Sequence, residues 1–183
     1  MQLSTPGPSD PIVAFYRGQR PDEAGRYLAE ILKWDDDRLE EIHDYIQWLF
    51  PTRERSGVNP SAPLITSTTV AEFGADDDLH DALRRSFGRM LRFYGLRLEA
   101  AGRGVAVVLG DNYSERRSNW LRPGNHNHLR ITRILACLVS LGLRPCAQAF
   151  ADCLQEVYRI EGTSCISARS FRFWMDTLEP APR

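Results

Sequence analysis

Apolar side chains recur along most of this chain at every third or fourth position, the spacing that gathers them on one side of an α-helix. Tyr27, Leu28, Ile31 and Leu32 trace such a stripe after Pro21, with Asp22 and Glu23 suited to the helix start and Trp34 closing it against the next helix. Asp35, Asp36 and Asp37 open that second helix, and Leu39, Ile42, Ile46, Leu49 and Phe50 carry its stripe until Pro51 stops it. Thr69 and Glu72 have capping-box spacing for a short helix ending near Gly74. Asp76 to Asp78 start a longer one, with Leu79, Leu83, Phe87, Met90, Leu91 and Tyr94 inward and Gly95 at its stop. Its other face is basic, with Arg84, Arg85, Arg89 and Arg92.

The period changes between Leu96 and Leu109, where a β-branched run follows the Gly102 and Gly104 turn and predicts a small hairpin. The glycines precede their strand, so they do not form a dinucleotide loop. Helical patterns resume. Asp111 or Ser114 can cap a helix reaching Leu121, and Pro123 and Gly124 break it. Asn125 starts the most apolar helix of the chain, which ends at Gly142. Pro145 begins another through Phe150, Leu154, Val157 and Tyr158, and Ser167 caps a last helix through Phe171, Trp174 and Leu178. The pattern predicts a mainly α, single-domain bundle of about seven or eight helices with a β-hairpin near residues 96–109. Residues 1–11, rich in Ser, Pro and Gly, read as a flexible arm before a domain at 12–180; Thr52 to Ser67 is a long connection that could lid a site.

Composition adds limits. With 43% hydrophobic and 26% charged residues in 183, the chain can bury a core, and a net charge of −1 supplies no overall basic field for nucleic acid. Lys33 is the only lysine, a bias that reads as bacterial codon usage. Cys137, Cys146, Cys153 and Cys165 include no C-x-x-C pair, and no signal peptide or membrane span is evident, which points to a reducing, cytoplasmic setting. Asp35 to Asp37 are explained by helix capping, and His126 and His128 diverge around a helix, so no metal or cofactor is expected.

Two groups are candidates for a site. Arg130 and Arg133 stand one turn apart on an otherwise apolar helix, so both guanidinium groups need anionic or carbonyl partners. They either clamp a carboxylate or phosphate, aided by the helix start at Asn125 to Asn127, or dock helices by bonding loop carbonyls or acids such as Asp44 or Glu54. His43, Gln47 and Trp48 form the second group: His43 can shuttle a proton and Trp48 can wall a pocket, or both can simply pack in the core.

The segments Tyr45-Ile46-Gln47-Trp48-Leu49-Phe50-Pro51, with Arg53 and Glu54, and His126-Asn127-His128-Leu129-Arg130-Ile131-Thr132-Arg133-Ile134-Leu135 resemble the conserved region of the opioid growth factor receptor family. Phe15-Tyr16, Lys33-Trp34, Phe93-Tyr94-Gly95-Leu96 and Gly142 extend the resemblance from about Phe15 to the final helix. It implies a helical ligand-binding region, named in animals for recognition of methionine-enkephalin by a receptor of the nucleus and its envelope, and it supplies no assigned catalytic set. Compared with the animal members, this chain shows no long C-terminal extension and no lysine-rich nuclear-import run.

Three functions follow as expectations. The first is a binding module for a short peptide or small anionic ligand, formed by His43, Gln47, Trp48, His126, Asn127, Arg130 and Arg133. The second is an enzyme using His43 or His126 as acid or base beneath the Thr52 to Ser67 connection, a reading weakened by the absence of nucleophile-elbow, metalloprotease, P-loop and kinase motifs. The third is a scaffold whose Arg84 to Arg92 face meets an acidic partner.

Overall fold

A computed structural model describes residues 10–179, so most of the expected arm lies outside the described residues. Asp10 and Pro11, assigned to that arm, instead start α1 (Pro11–Tyr16): the Asp10 carboxylate accepts from the amides of Ile12 and Val13. The same carboxylate accepts from the Thr66 and Thr69 hydroxyls, tying α1 to α5 (Ser67–Ala75). The capping box of α5 is therefore Thr66 with Thr69, one turn earlier than Thr69 with Glu72, and Glu72 pairs with Arg17 instead. The prior claim of Asp10 on Thr69 is a long-range contact that local spacing does not reveal.

The expected helix from Pro21 shrinks to one turn, α2 (Leu28–Ile31). Asp22 is the reason. Its buried carboxylate accepts from the amides of Ala24 and Arg26 and from the Arg26 side chain, folding residues 22–26 into a turn with Gly25 at φ +79°.

The expected continuous helix from Asp35 to Phe50 is broken. It becomes α3 (Asp36–Glu41) and α4 (Ile46–Leu49), with Ile42 extended at φ −90°, ψ 132°. Its apolar stripe nevertheless stays buried at Leu39, Ile46, Leu49 and Phe50, because the two short helices keep facing the same core.

The rest follows the pattern more closely. The amphipathic α6 (Asp77–Tyr94) is capped by Asp76 and stopped by Gly95 at φ +80°. Strands β1 (Leu96–Ala101) and β2 (Gly104–Leu109) pair antiparallel from Leu96 opposite Leu109 to Ala101 opposite Gly104. Helix α7 (Tyr113–Trp120) starts after Asn112 rather than Asp111 or Ser114, because the Asn112 amide donates to the Arg92 carbonyl and fixes the turn there. Helix α8 (Asn127–Ser140) packs on α9 (Arg144–Glu161), and α10 (Ala168–Asp176) is capped by Ser167 as expected. Ten helices and one hairpin are thus found among the described residues, because α1 and the α3–α4 break add to the expected number. No described helix is long and apolar enough to cross a membrane.

The buried side chains from Ile12 to Leu178 form one cluster. Two of its indoles are anchored by backbone. Trp120 donates to the Tyr94 carbonyl, and Trp174 donates to the carbonyl of His128. The imidazole of His128 completes this junction: Nε2 lies 2.8 Å from the Trp120 carbonyl, and its ring meets Trp174 edge-on at 5.5 Å. A carbonyl only accepts, so His128 carries its proton on Nε2.

Burial pushes the His128 imidazole below its ordinary 6.5, with the Trp120 hydrogen bond opposing that shift. Stability from a neutral buried imidazole is complete above the unfolded value and declines as pH falls below it toward the lower folded value. The urea midpoint is therefore expected to drop between about pH 7 and 5, and His128→Gln, whose amide can still reach Trp120, should flatten that drop. An unchanged slope in the variant would assign the acid sensitivity to other groups.

Candidate functional site

Helix α8 presents His126, Arg130 and Arg133 at positions i, i+4 and i+7, which places them along one face. That face forms one wall of a cleft of about 830 Å³, whose other lining includes His43, Ile46 and Gln47, the connection from Thr52 to Val58, and Asp176, Thr177 and Glu179. Leu129 and Val58, 72% and 75% exposed, leave apolar side chains at its rim. Apolar wall and isolated charges together suit a ligand with both an apolar body and an ionised group.

The two arginines differ in their surroundings. Arg130 is only 5% exposed and is occupied by the protein: Nη1 donates to the Leu39 carbonyl (2.9 Å) and to Asn127 Oδ1 (3.3 Å), while Nη2 donates to the Ile42 carbonyl (2.9 Å). Nη2 also donates to His43 Nδ1 at 3.1 Å, and Glu40 lies 3.8 Å from Nη1. These are the loop carbonyls at the α3–α4 break, not Asp44, which pairs with Arg26, and not Glu54. Arg133 is half-buried and its Nη1 donates to the Phe50 carbonyl and the Thr52 hydroxyl, both at 3.2 Å. No described acid pairs with it. Burial lowers its pKa, with Cys137 opposing, but arginine starts so far above neutrality that its charge remains.

The remaining candidates divide in the same way. His43 and His126 line the cleft with ring centroids 4.9 Å apart. A guanidinium has only donors, so His43 Nδ1 accepts from Arg130 and the ring proton sits on Nε2. His126 Nε2 is 3.4 Å from Glu40, and burial holds its imidazole below the ordinary range, with Arg130 and His43 adding to that effect and Glu40 opposing it. Gln47 reaches the cleft edge but is 4% exposed, and its amide, oriented to satisfy its neighbours, donates to the carbonyls of Asp44 and His43.

Trp48 and Asn127 stand outside the cleft lining. Trp48 packs against Phe15 at 5.3 Å with Arg20 over its ring, because α1 occupies the face on which a pocket wall was expected. Asn127 is fully buried; it donates to Glu40 and accepts from Arg130, so it supports Arg130 rather than a ligand. Sequence reasoning passed over Glu40, which bridges His126, Asn127 and Arg130. Its position on α3 gave no signal that α8 would pack there.

The enzyme reading gains no nucleophile: among the described residues no hydroxyl or thiol is hydrogen-bonded to His43 or His126. The basic face of α6 is partly engaged, since Arg84 pairs with Asp81 and Arg89 bonds Asp36 and the Trp34 carbonyl.

The sequence model described as the opioid growth factor receptor conserved region matches residues 12–178, nearly all of the described chain. This chain belongs to that family. The human opioid growth factor receptor is 44% identical over 137 residues, covering 73% of this chain and 20% of the human protein. Opioid growth factor receptor-like protein 1 of Rattus norvegicus is 40% identical over 135 residues, covering 70% of this chain and 28% of its own length. That of Xenopus tropicalis is 40% identical over 126 residues, covering 67% and 23%. This chain thus spans only 20–28% of the length of these three proteins. No solved structure matches the chain. The family assignment agrees with the resemblance carried by the Tyr45–Pro51 and His126–Leu135 segments. Those two segments meet where Arg133 donates to the Phe50 carbonyl and Arg130 lies over the Tyr45 ring.

Proposed function

We propose that this chain is a ligand-binding module whose cleft takes a short peptide or other small anionic ligand, with Arg133 as the principal anchor. The half-buried guanidinium of Arg133, with Nη2 and Nε not engaged by any described acid and with apolar walls beside it, carries the reading. A carboxylate there gains two charge-assisted hydrogen bonds in a site partly screened from water. Arg130, by contrast, is a positioning residue. One relative is named an opioid growth factor receptor and others receptor-like proteins, which supports a peptide as occupant. A cytoplasmic setting accords with the four free cysteines.

The test is calorimetric titration with short peptides carrying a free C-terminus and with their C-terminally amidated forms. The free carboxylate should strengthen binding by about tenfold or more, and Arg133→Met should remove that advantage while leaving the chain folded. Equal affinity of the two forms for the parent protein would overturn Arg133 as the anchor.

A further inference from the structure

Arg133 occupies one end of the α8 face, and at the other end, two helical turns away, stand His126 and, across from it, His43. Seven residues of α-helix rise about 10 Å, so the two ends face one elongated ligand rather than one compact ion. Resting on the cleft reading above, we propose that the imidazole pair is a second, proton-gated anion subsite, and that the ligand class is a short chain bearing two anionic groups.

The charges at that end work as a gate. His126 faces Glu40 from α3, His43 from the segment after α3, and Arg130 from its own helix. Glu40 and Arg130 offset one another, so with both rings neutral the cluster carries no net charge and offers an anion little attraction. Burial disfavours the charged form of His126, with Arg130 adding to that effect and Glu40 opposing it. An anion seated against the rings reverses that balance and draws in a proton, so binding and proton uptake are linked. His43 is already oriented for this role: Arg130 occupies Nδ1 and leaves Nε2–H as the ring's donor. The cleft's other charges, Arg53, Glu54 and Arg55 on the connection and Asp176 and Glu179 at the C-terminal side, do not touch either ring in any described hydrogen bond or ion pair.

Sulfonates test this, because they stay ionised across the pH range of the experiment. The full chain is titrated by calorimetry with hexanesulfonate, hexanedisulfonate and ethanedisulfonate, the last too short to span the face, at about pH 5.5 and about pH 7.5. Hexanedisulfonate should bind about tenfold tighter than hexanesulfonate at the lower pH, with uptake of close to one proton, and this advantage should vanish at the higher pH. Ethanedisulfonate should gain nothing over hexanesulfonate at either pH. His126→Gln, which keeps a hydrogen-bonding side chain beside Glu40, should abolish the advantage of hexanedisulfonate over hexanesulfonate and, with it, the pH dependence of that ratio.

A hexanedisulfonate advantage that ignores pH, survives His126→Gln or is matched by ethanedisulfonate overturns the imidazole subsite while Arg133 keeps its role. Absence of any sulfonate binding at both pH values overturns the cleft reading and the second subsite together.

Discussion

Arg130→Met is expected to lower the unfolding free energy by about 3–5 kcal/mol, the range for removing one member of a buried charged network. Methionine keeps much of the unbranched stem but removes every donor. The Ile42 carbonyl, which α3 cannot satisfy because the chain turns out of the helix at Ile42, loses its partner, as do Asn127 Oδ1 and His43 Nδ1, while the Leu39 carbonyl keeps only the Tyr45 hydroxyl. Each orphaned buried acceptor costs about 1–3 kcal/mol, so the Ile42 carbonyl and Asn127 Oδ1 together approach the stated range. Glu40 also loses its nearby cation. Arg133→Met should cost only about 1 kcal/mol, since its two 3.2 Å bonds sit in a half-buried position that water can reach. Urea denaturation of both variants checks the contrast. Equal losses would mean that the two arginines share one structural role, and an Arg130 loss below about 1 kcal/mol would mean the α3–α4 break holds without it.

The same arginine explains where sequence reading succeeded and where it failed. Helix α6 was legible because its signals are local: Asp76 caps it, its apolar positions recur every third or fourth residue, and Gly95 ends it. The hairpin was equally local, set by a β-branched strand and two glycines. The break between α3 and α4 was not, because the side chain that satisfies Ile42 O is 88 residues away in sequence. Nothing in the Leu39 to Phe50 stripe distinguishes one long helix from two short ones facing the same core. The candidate site divides similarly. An i, i+3 arginine pair was visible, and so was its need for partners, but which arginine was occupied depended on how α3 docks. Which of its two readings Trp48 would follow was hidden for a related reason: the pattern before Pro21 gave no warning of α1, and Phe15 from α1 packs on its ring.

Gly95→Ala is expected to cost about 2–5 kcal/mol, combining a left-handed backbone penalty of about 1–2 kcal/mol with an overpacking penalty of about 1–3 kcal/mol. Gly95 has φ +80°, and a Cβ there would lie 2.6 Å from the Cα of Tyr113 and 3.1 Å from the Cβ of Arg116. The nearest atom is backbone, so no side-chain rotation relieves the clash. Relief requires α7 to move, and α7 is held to this end of α6 by the Trp120 bond to Tyr94 and by the Arg116 bond to the Phe93 carbonyl. Gly124 provides the control: it too has positive φ, at +71°, but a Cβ would meet nothing within 4 Å. Gly124→Ala should therefore show the backbone penalty alone, about 1–2 kcal/mol. The difference between the two variants measures the close approach of α7. If they are equal, the α6–α7 junction tolerates a methyl group, and the Phe93-Tyr94-Gly95-Leu96 motif needs glycine only for its backbone conformation.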